Sequence, residues 1–167
     1  MLVSSAGTTD PPIPNVHVKM APILPVSRLT QVVLGFRPGV LLLDLDNTLF
    51  REPVEAPTPA LCDPYAPGWL ALARGAGWHV AGCTARSPTL TAFTQMQLSN
   101  VRVVLDPIIY TDGYAKGPSA AQYLLRQGTF TGPVVVVDDV RAQLESIHDC
   151  VGTLMPHLQL RLYHFRS

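Results

Sequence analysis

The chain has 167 residues, twelve basic and twelve acidic, with formal net charge zero; 47% of it is hydrophobic and 14% charged. That length suits one domain with a proper core, and scattered basic residues without a run argue against a protein that grips nucleic acid through its phosphates. No apolar stretch reaches the ~18 residues a membrane span requires, the N-terminus lacks the pattern of a secretory signal, and the widely spaced Cys62, Cys83 and Cys150 fit a reducing compartment. A cytoplasmic location is therefore expected, with export by a non-Sec route left open.

Residues 1 to about 25 carry Pro11, Pro12, Pro14, Pro22 and Pro25 and few large apolar side chains, which predicts an extended or flexible arm. The remainder, 26–167, reads as one domain. Ser27 can cap a short helix through Leu34. Val40 to Leu45 is the first core strand, apolar on both faces. Phe50 to Ala66 is proline-rich and follows the first carboxylates directly, so a loop that roofs them is expected. Pro67 suits the first position of a helix ending at Gly75 or Gly77. Trp78 to Cys83 is the second strand. Ser87-Pro88 opens a helix with Leu90, Phe93 and Met96 or Gln97 at helical spacing. Val101 to Leu105 is read as the third strand, and Gly117-Pro118 as the start of the next helix. Pro133 to Val137 is the fourth strand, with Leu144, Ile147 and Val151 marking a helix behind it. Leu158 to Phe165 alternates apolar and polar residues, the pattern of a half-buried edge strand open to pairing. Strands alternating with helices predict an α/β fold: a three-layer, doubly wound, Rossmann-like, mostly parallel sheet.

The polar residues of interest share one kind of place. Asp44 and Asp46 follow the first strand, Thr84 the second, and Asp138 and Asp139 the fourth, while Lys116 stands at a helix start. In a parallel sheet those positions converge on the carboxyl edge, where open α/β sheets bind ligands. Four carboxylates in one spot repel unless a cation joins them, and hard oxygen donors without paired histidine or cysteine point to Mg²⁺. A phosphorylated substrate follows, because Mg²⁺ pairs with phosphate and Lys116 adds a second positive charge. Taken singly, Asp138 and Asp139 could cap a helix, Lys116 could be solvated and Thr84 could be a strand-end hydroxyl; their joint occurrence in order is what favours a site. Arg86 could contact a substrate phosphate or lie at the surface. Asp112-Gly113 is a turn signal, and His79, His148, His157 and His164 show no metal-ligand spacing.

The series Asp44-x-Asp46-x-Thr48, Thr84, Lys116 and Asp138-Asp139 resembles the haloacid dehalogenase superfamily, over about residues 27 to 165. The stretches Ile108 to Gly113 with Lys116-Gly117, and Asp138-Asp139-Val140 with Leu144-Glu145-Ser146, are similar to a subgroup of it found in some intracellular bacterial pathogens. The resemblance implies a phosphatase in which Asp44 is the nucleophile that becomes an aspartyl-phosphate and Asp46 moves the proton. It implies phosphoryl binding by Thr84, Ala85, Arg86 and Lys116. It implies Mg²⁺ held by Asp44, by Asp46 through its backbone carbonyl, and by Asp139 with Asp138 supporting it.

The intervals from Thr48 to the second strand and from Thr84 to Lys116 are too short for a separate cap domain. An open site is expected, one that admits a phosphorylated partner as large as a macromolecule, with a polynucleotide disfavoured by the neutral charge. A phosphotransferase or mutase would share the same residues. A non-catalytic binding module would be expected to break a motif, and none is broken.

Overall fold

The computed structural model describes residues 20–51, 55–128 and 131–166. Six strands form one sheet: β1 (Ile23–Val26), β2 (Val40–Leu43), β5 (His79–Thr84), β6 (Ile108–Tyr110), β7 (Val134–Asp138) and β8 (Leu160–Phe165), while β3 (Phe50–Arg51) and β4 (Ala60–Leu61) pair separately. The helices are α1 (Ala66–Gly75), α2 (Thr91–Asn100), α3 (Lys116–Arg126) and α4 (Arg141–Leu154). The large sheet runs β1-β8-β7-β2-β5-β6, and every pairing in it is parallel.

Strand alternation divides the core between the two faces. Leu41, Leu43, Val135 and Val137 bury themselves with Leu70 and Ala73 of α1. Val40, Leu42, Val134 and Val136 bury themselves with Ala120, Leu124, Leu144 and Ile147 of α3 and α4. The continuous aliphatic runs of β2 and β7 therefore serve both faces, as a central parallel strand must. Each such buried side chain contributes about 1.5–3 kcal/mol before the entropy of ordering the chain is subtracted. This is the expected three-layer α/β architecture. Among the described residues, no helix is long and apolar enough to cross a membrane.

Several expectations need correction. Ile23 to Pro25, read as the end of an extended or flexible arm, are with Val26 part of the sheet as strand β1, paired in parallel to β8; residues 1–19 lie outside the described ones. Pro25 is tolerated there because an edge strand can leave one side without a ladder donor. β8 is accordingly not the sheet edge: it lies between β1 and β7. The third strand is Ile108–Tyr110, not Val101–Leu105. Val103 and Leu105 are buried, but they lie in an irregular stretch that follows a turn at Val101-Arg102, with Arg102 at φ +59°. The helix expected from Ser27 is a single 3₁₀ turn, Leu29–Gln31. β5 runs one residue further than expected, and β2 stops at Leu43, which leaves Asp44 just past its end.

The start of α3 is fixed by a close approach to α4. Gly117 donates its backbone N–H to Ser146 Oγ at 3.1 Å, and a Cβ at Gly117 would stand 2.2 Å from the Ser146 carbonyl oxygen. Gly117→Ala is expected to force the helices apart and cost about 1–3 kcal/mol, seen as a lower denaturation midpoint. A variant as stable as the wild type would refute this close fit.

Candidate active site

The ends of β7, β2 and β5 lie side by side, which is why residues far apart in sequence meet. The Asp44 backbone N–H donates to the Val137 carbonyl at 3.0 Å, continuing the ladder one step and setting Asp44 beside Asp138. After Asp46 the chain reverses. Asn47 takes a left-handed φ of +61°, a conformation asparagine tolerates, and both Leu49 and Phe50 donate to the Leu45 carbonyl. Behind Thr84, residues 111–113 are laced to residues 84–86: Thr111, Asp112 and Gly113 donate backbone N–H groups to the carbonyls of Thr84, Arg86 and Ala85.

Lys116, the first residue of α3, is buried with its ammonium between two carboxylates, 2.5 Å from Asp44 Oδ1 and 2.6 Å from Asp138 Oδ2. Asp138 Oδ1 accepts the Val140 backbone N–H at 2.8 Å. One carboxylate oxygen from each of Asp44, Asp138 and Asp139 falls within 4.8 Å of the others, a group that could hold a metal ion. Asp46 is not part of it. Its carboxylate instead meets Arg86, whose Nε lies 3.2 and 2.9 Å from Oδ1 and Oδ2 and whose second guanidinium nitrogen, Nη2, lies 2.6 Å from Oδ1. Arg86 is thus buried rather than superficial. It also donates through Nη1 to Thr94 Oγ1 at 3.0 Å and Gln97 Oε1 at 2.6 Å, and stacks over the Phe50 ring at 5.5 Å from its centroid.

Thr84 is fully buried, and its hydroxyl accepts the Arg86 backbone N–H at 3.3 Å. Ala85 is the residue of that segment that lines a cavity of about 160 Å³ with Asp44, Asp46, Asn47, Lys116, Asp139, Val140 and Gln143. Beyond Asp46 lies a second cavity of about 450 Å³, lined by Asp46, Glu55, Arg86, Leu90 and Phe93. Leu90 and Phe93, two of the residues noted at helical spacing, line this outer cavity, and Met96 is exposed. The inner face of α2 is Thr94, Gln97 and Leu98. Asp112 is an exposed turn residue at φ +51°.

Sequence reasoning missed Gln143 and Thr94 and took Gln97 only as an alternative to Met96. Gln143 Oε1 accepts the Lys116 backbone N–H at 2.8 Å, capping α3. Thr94 and Gln97 carried a signal, polar residues three apart where a helix should be apolar, but their partner Arg86 lies on another element.

Burial is the largest influence on Asp44 and raises its pKa from 3.8 to about 6; the Lys116 charge opposes this, and the nearby Asp138 adds to it. Burial also raises Asp138 and Asp139. Lys116 is raised too: burial alone would lower it, and the two carboxylates outweigh burial. Lys116 therefore stays charged. Cys83, buried behind the cluster, has its thiol pushed up to about 12 and is no nucleophile at neutral pH.

These shifts predict a pH dependence. Asp44 titrates higher folded than unfolded, so its contribution favours the fold below pH 3.8 and is lost as pH rises through about 6. Without metal, stability should decline over that window by up to about 3 kcal/mol. An added divalent cation should raise the melting temperature at about pH 8 and much less at about pH 5, where protons compete for the same oxygens. Melts that are flat across this range, with and without the cation, would contradict a metal site at these carboxylates.

No protein-family model matches the chain, and no curated protein matches it. Among solved structures, it is similar to a chain in the structure of a Pnkp1/Rnl/Hen1 complex, with a TM-score of 0.52 and 18% identity. The likeness is one of fold. It extends over 100% of this chain and 58% of that one, so the chain spans little more than half the length of the protein it matches.

Proposed function

We propose that this chain is a Mg²⁺-dependent phosphatase of the haloacid dehalogenase superfamily, hydrolysing a phosphomonoester through an aspartyl-phosphate on Asp44. The observation that carries the reading is the Lys116 ammonium between Asp44 and Asp138, with Asp139 in reach, at the carboxyl edge of the sheet. A buried lysine alone would neutralise one carboxylate, whereas three are gathered around it, an arrangement that suits an added cation and an anionic substrate.

The donor set fits Mg²⁺: three carboxylates, with no histidine or cysteine in the group among the described residues. Asp44 and Asp139 would hold the ion, with Asp138 supporting them. Bound there, it neutralises charge on the phosphoryl oxygens. Lys116 draws the phosphoryl group toward Asp44. An Asp44 oxygen attacks phosphorus; the Asp44 O–P bond forms as the ester P–O bond breaks, and Asp46 gives a proton to the leaving oxygen. Water then attacks phosphorus, Asp46 takes its proton, and phosphate leaves with Asp44 restored.

Asp46 lines both cavities. That supports a substrate with its phosphoryl group in the smaller cavity and its leaving group in the larger one. The test is hydrolysis of p-nitrophenyl phosphate and a metabolite and phosphopeptide panel, with Mg²⁺ and with a chelator. Turnover that vanishes on chelation and returns with Mg²⁺ is expected. Clean metal binding without turnover of any ester would sink the proposal.

A further inference from the structure

We propose that Arg86 and Gln97 are positioning residues for Asp46, and that they tie the orientation of its carboxylate to residues 55–59, the stretch that leads into β4. The inference rests on the phosphatase reading, in which Asp46 moves the proton.

The hydrogen bonds form an unbroken series. Arg86 grips Asp46 through Nε and Nη2, and its Nη1 donates to Thr94 Oγ1 and Gln97 Oε1. Gln97 in turn donates through Nε2 to the Ala56 carbonyl at 2.7 Å. That bond identifies which end of the amide carries nitrogen, so Oε1 is the end on Arg86. A guanidinium has five N–H donors. The Nε hydrogen, both Nη1 hydrogens and one Nη2 hydrogen are engaged here, which leaves one for any substrate. Arg86 is therefore built into the protein rather than held ready for phosphate.

The burial gradient shows the direction of support. Thr94 and Gln97 are fully buried on α2, and Arg86 is 8% exposed. The Asp46 side chain keeps 31% of its surface open. A rigid base thus holds a carboxylate whose free side faces the two cavities. A paired fork of this kind fixes the plane of a carboxylate as well as its place, and protonating the leaving group depends on an Asp46 oxygen that aims its proton at the ester oxygen. Ala56 adjoins Glu55, which lines the outer cavity, so displacement of that segment by a substrate would be felt at Asp46 through Gln97.

The test exploits the leaving group. p-Nitrophenolate departs without help from an acid, whereas an alkoxide needs one. Kinetic constants are measured for p-nitrophenyl phosphate and a simple alkyl phosphate in the wild type, Gln97→Leu, Gln97→Glu and Arg86→Lys. Gln97→Leu and Arg86→Lys should lower kcat and kcat/KM on the alkyl ester about 10–100-fold, with KM little changed, and lower kcat/KM for p-nitrophenyl phosphate, which reports only the step that forms the aspartyl-phosphate, by no more than about threefold. Gln97→Glu keeps an acceptor for Arg86 and loses the donor to Ala56, so it should lose less on the alkyl ester than Gln97→Leu does. Melting curves establish that each variant is folded, and one that is unfolded is replaced by the remaining two. Equal losses of kcat/KM on both esters, or losses confined to KM, would overturn the inference while leaving the phosphatase reading intact. No turnover of either ester by the wild type would overturn both.

Discussion

Asp44→Asn is expected to reduce the proposed Mg²⁺-dependent phosphoester hydrolysis by at least ~10³-fold, because in that reaction Asp44 is the group that bonds to phosphorus. The fold should survive. Asparagine has nearly the shape of aspartate, and the substitution removes one of the carboxylates whose burial raises its pKa from 3.8 to about 6. Lys116 keeps Asp138 as a partner at 2.6 Å. The variant should therefore melt at or slightly above the wild-type temperature at about pH 8 without metal, since burying a neutral amide costs less than burying a charge. Its response to Mg²⁺ should weaken, because one of three candidate ligands is lost. The measurements are kcat and a thermal melt on the same preparation. Retained turnover near the wild-type rate would rule out Asp44 as nucleophile.

Lys116→Met should have the largest effect on stability. The ammonium neutralises two buried carboxylates at once, and removing one partner of a buried ion pair typically costs about 3–5 kcal/mol. Against a total of roughly 5–15 kcal/mol for a domain, that is a large share, and a fall in Tm of roughly 6–20 °C follows. The loss should be pH-dependent. Below about pH 6 Asp44 can take a proton and relieve the uncompensated charge, so the variant should recover as pH falls. Mg²⁺ should recover part of the stability near neutral pH and little of the proposed hydrolysis, in which Lys116 is one of the two cationic partners of the phosphoryl group. Equilibrium denaturation at two pH values checks this, and a loss of the same size at both would show that the lysine matters for packing alone.

The central strands were readable because a strand buried on both faces has an unambiguous sequence. Val40 to Leu43 and Val134 to Val137 have little alternative to a parallel core, and the aspartates after them mark where the strands stop. The flanks were harder. Ile23–Val26 contains Pro25, and proline signals coil unless the strand lies at an edge, which only the finished sheet reveals. Val101 to Leu105 has strand composition, yet only Val103 and Leu105 are buried, from an irregular stretch after a turn, and Val104 is exposed. A short apolar run specifies burial more firmly than it specifies a ladder. Around the site, residues one strand-end away from one another could be gathered in advance by topology alone. The Arg86 fork on Asp46 could not, because it depends on the path of the backbone after Thr84 and on two polar side chains of α2.

Asp46 stands at the boundary of two chambers, and that limits the order of events in the proposed reaction. In-line displacement requires the leaving oxygen to depart on the side of phosphorus opposite Asp44. The alcohol would have to clear the larger chamber before water could reach the aspartyl-phosphate, because both use the approach beside Asp46. A tightly held alcohol would then delay hydrolysis and stand ready to reverse the first step, while a loosely held one would surrender the phosphoenzyme to water. Whether the protein hydrolyses or transfers would thus be decided less by the carboxylates than by how quickly Leu90 and Phe93 let go of what they hold.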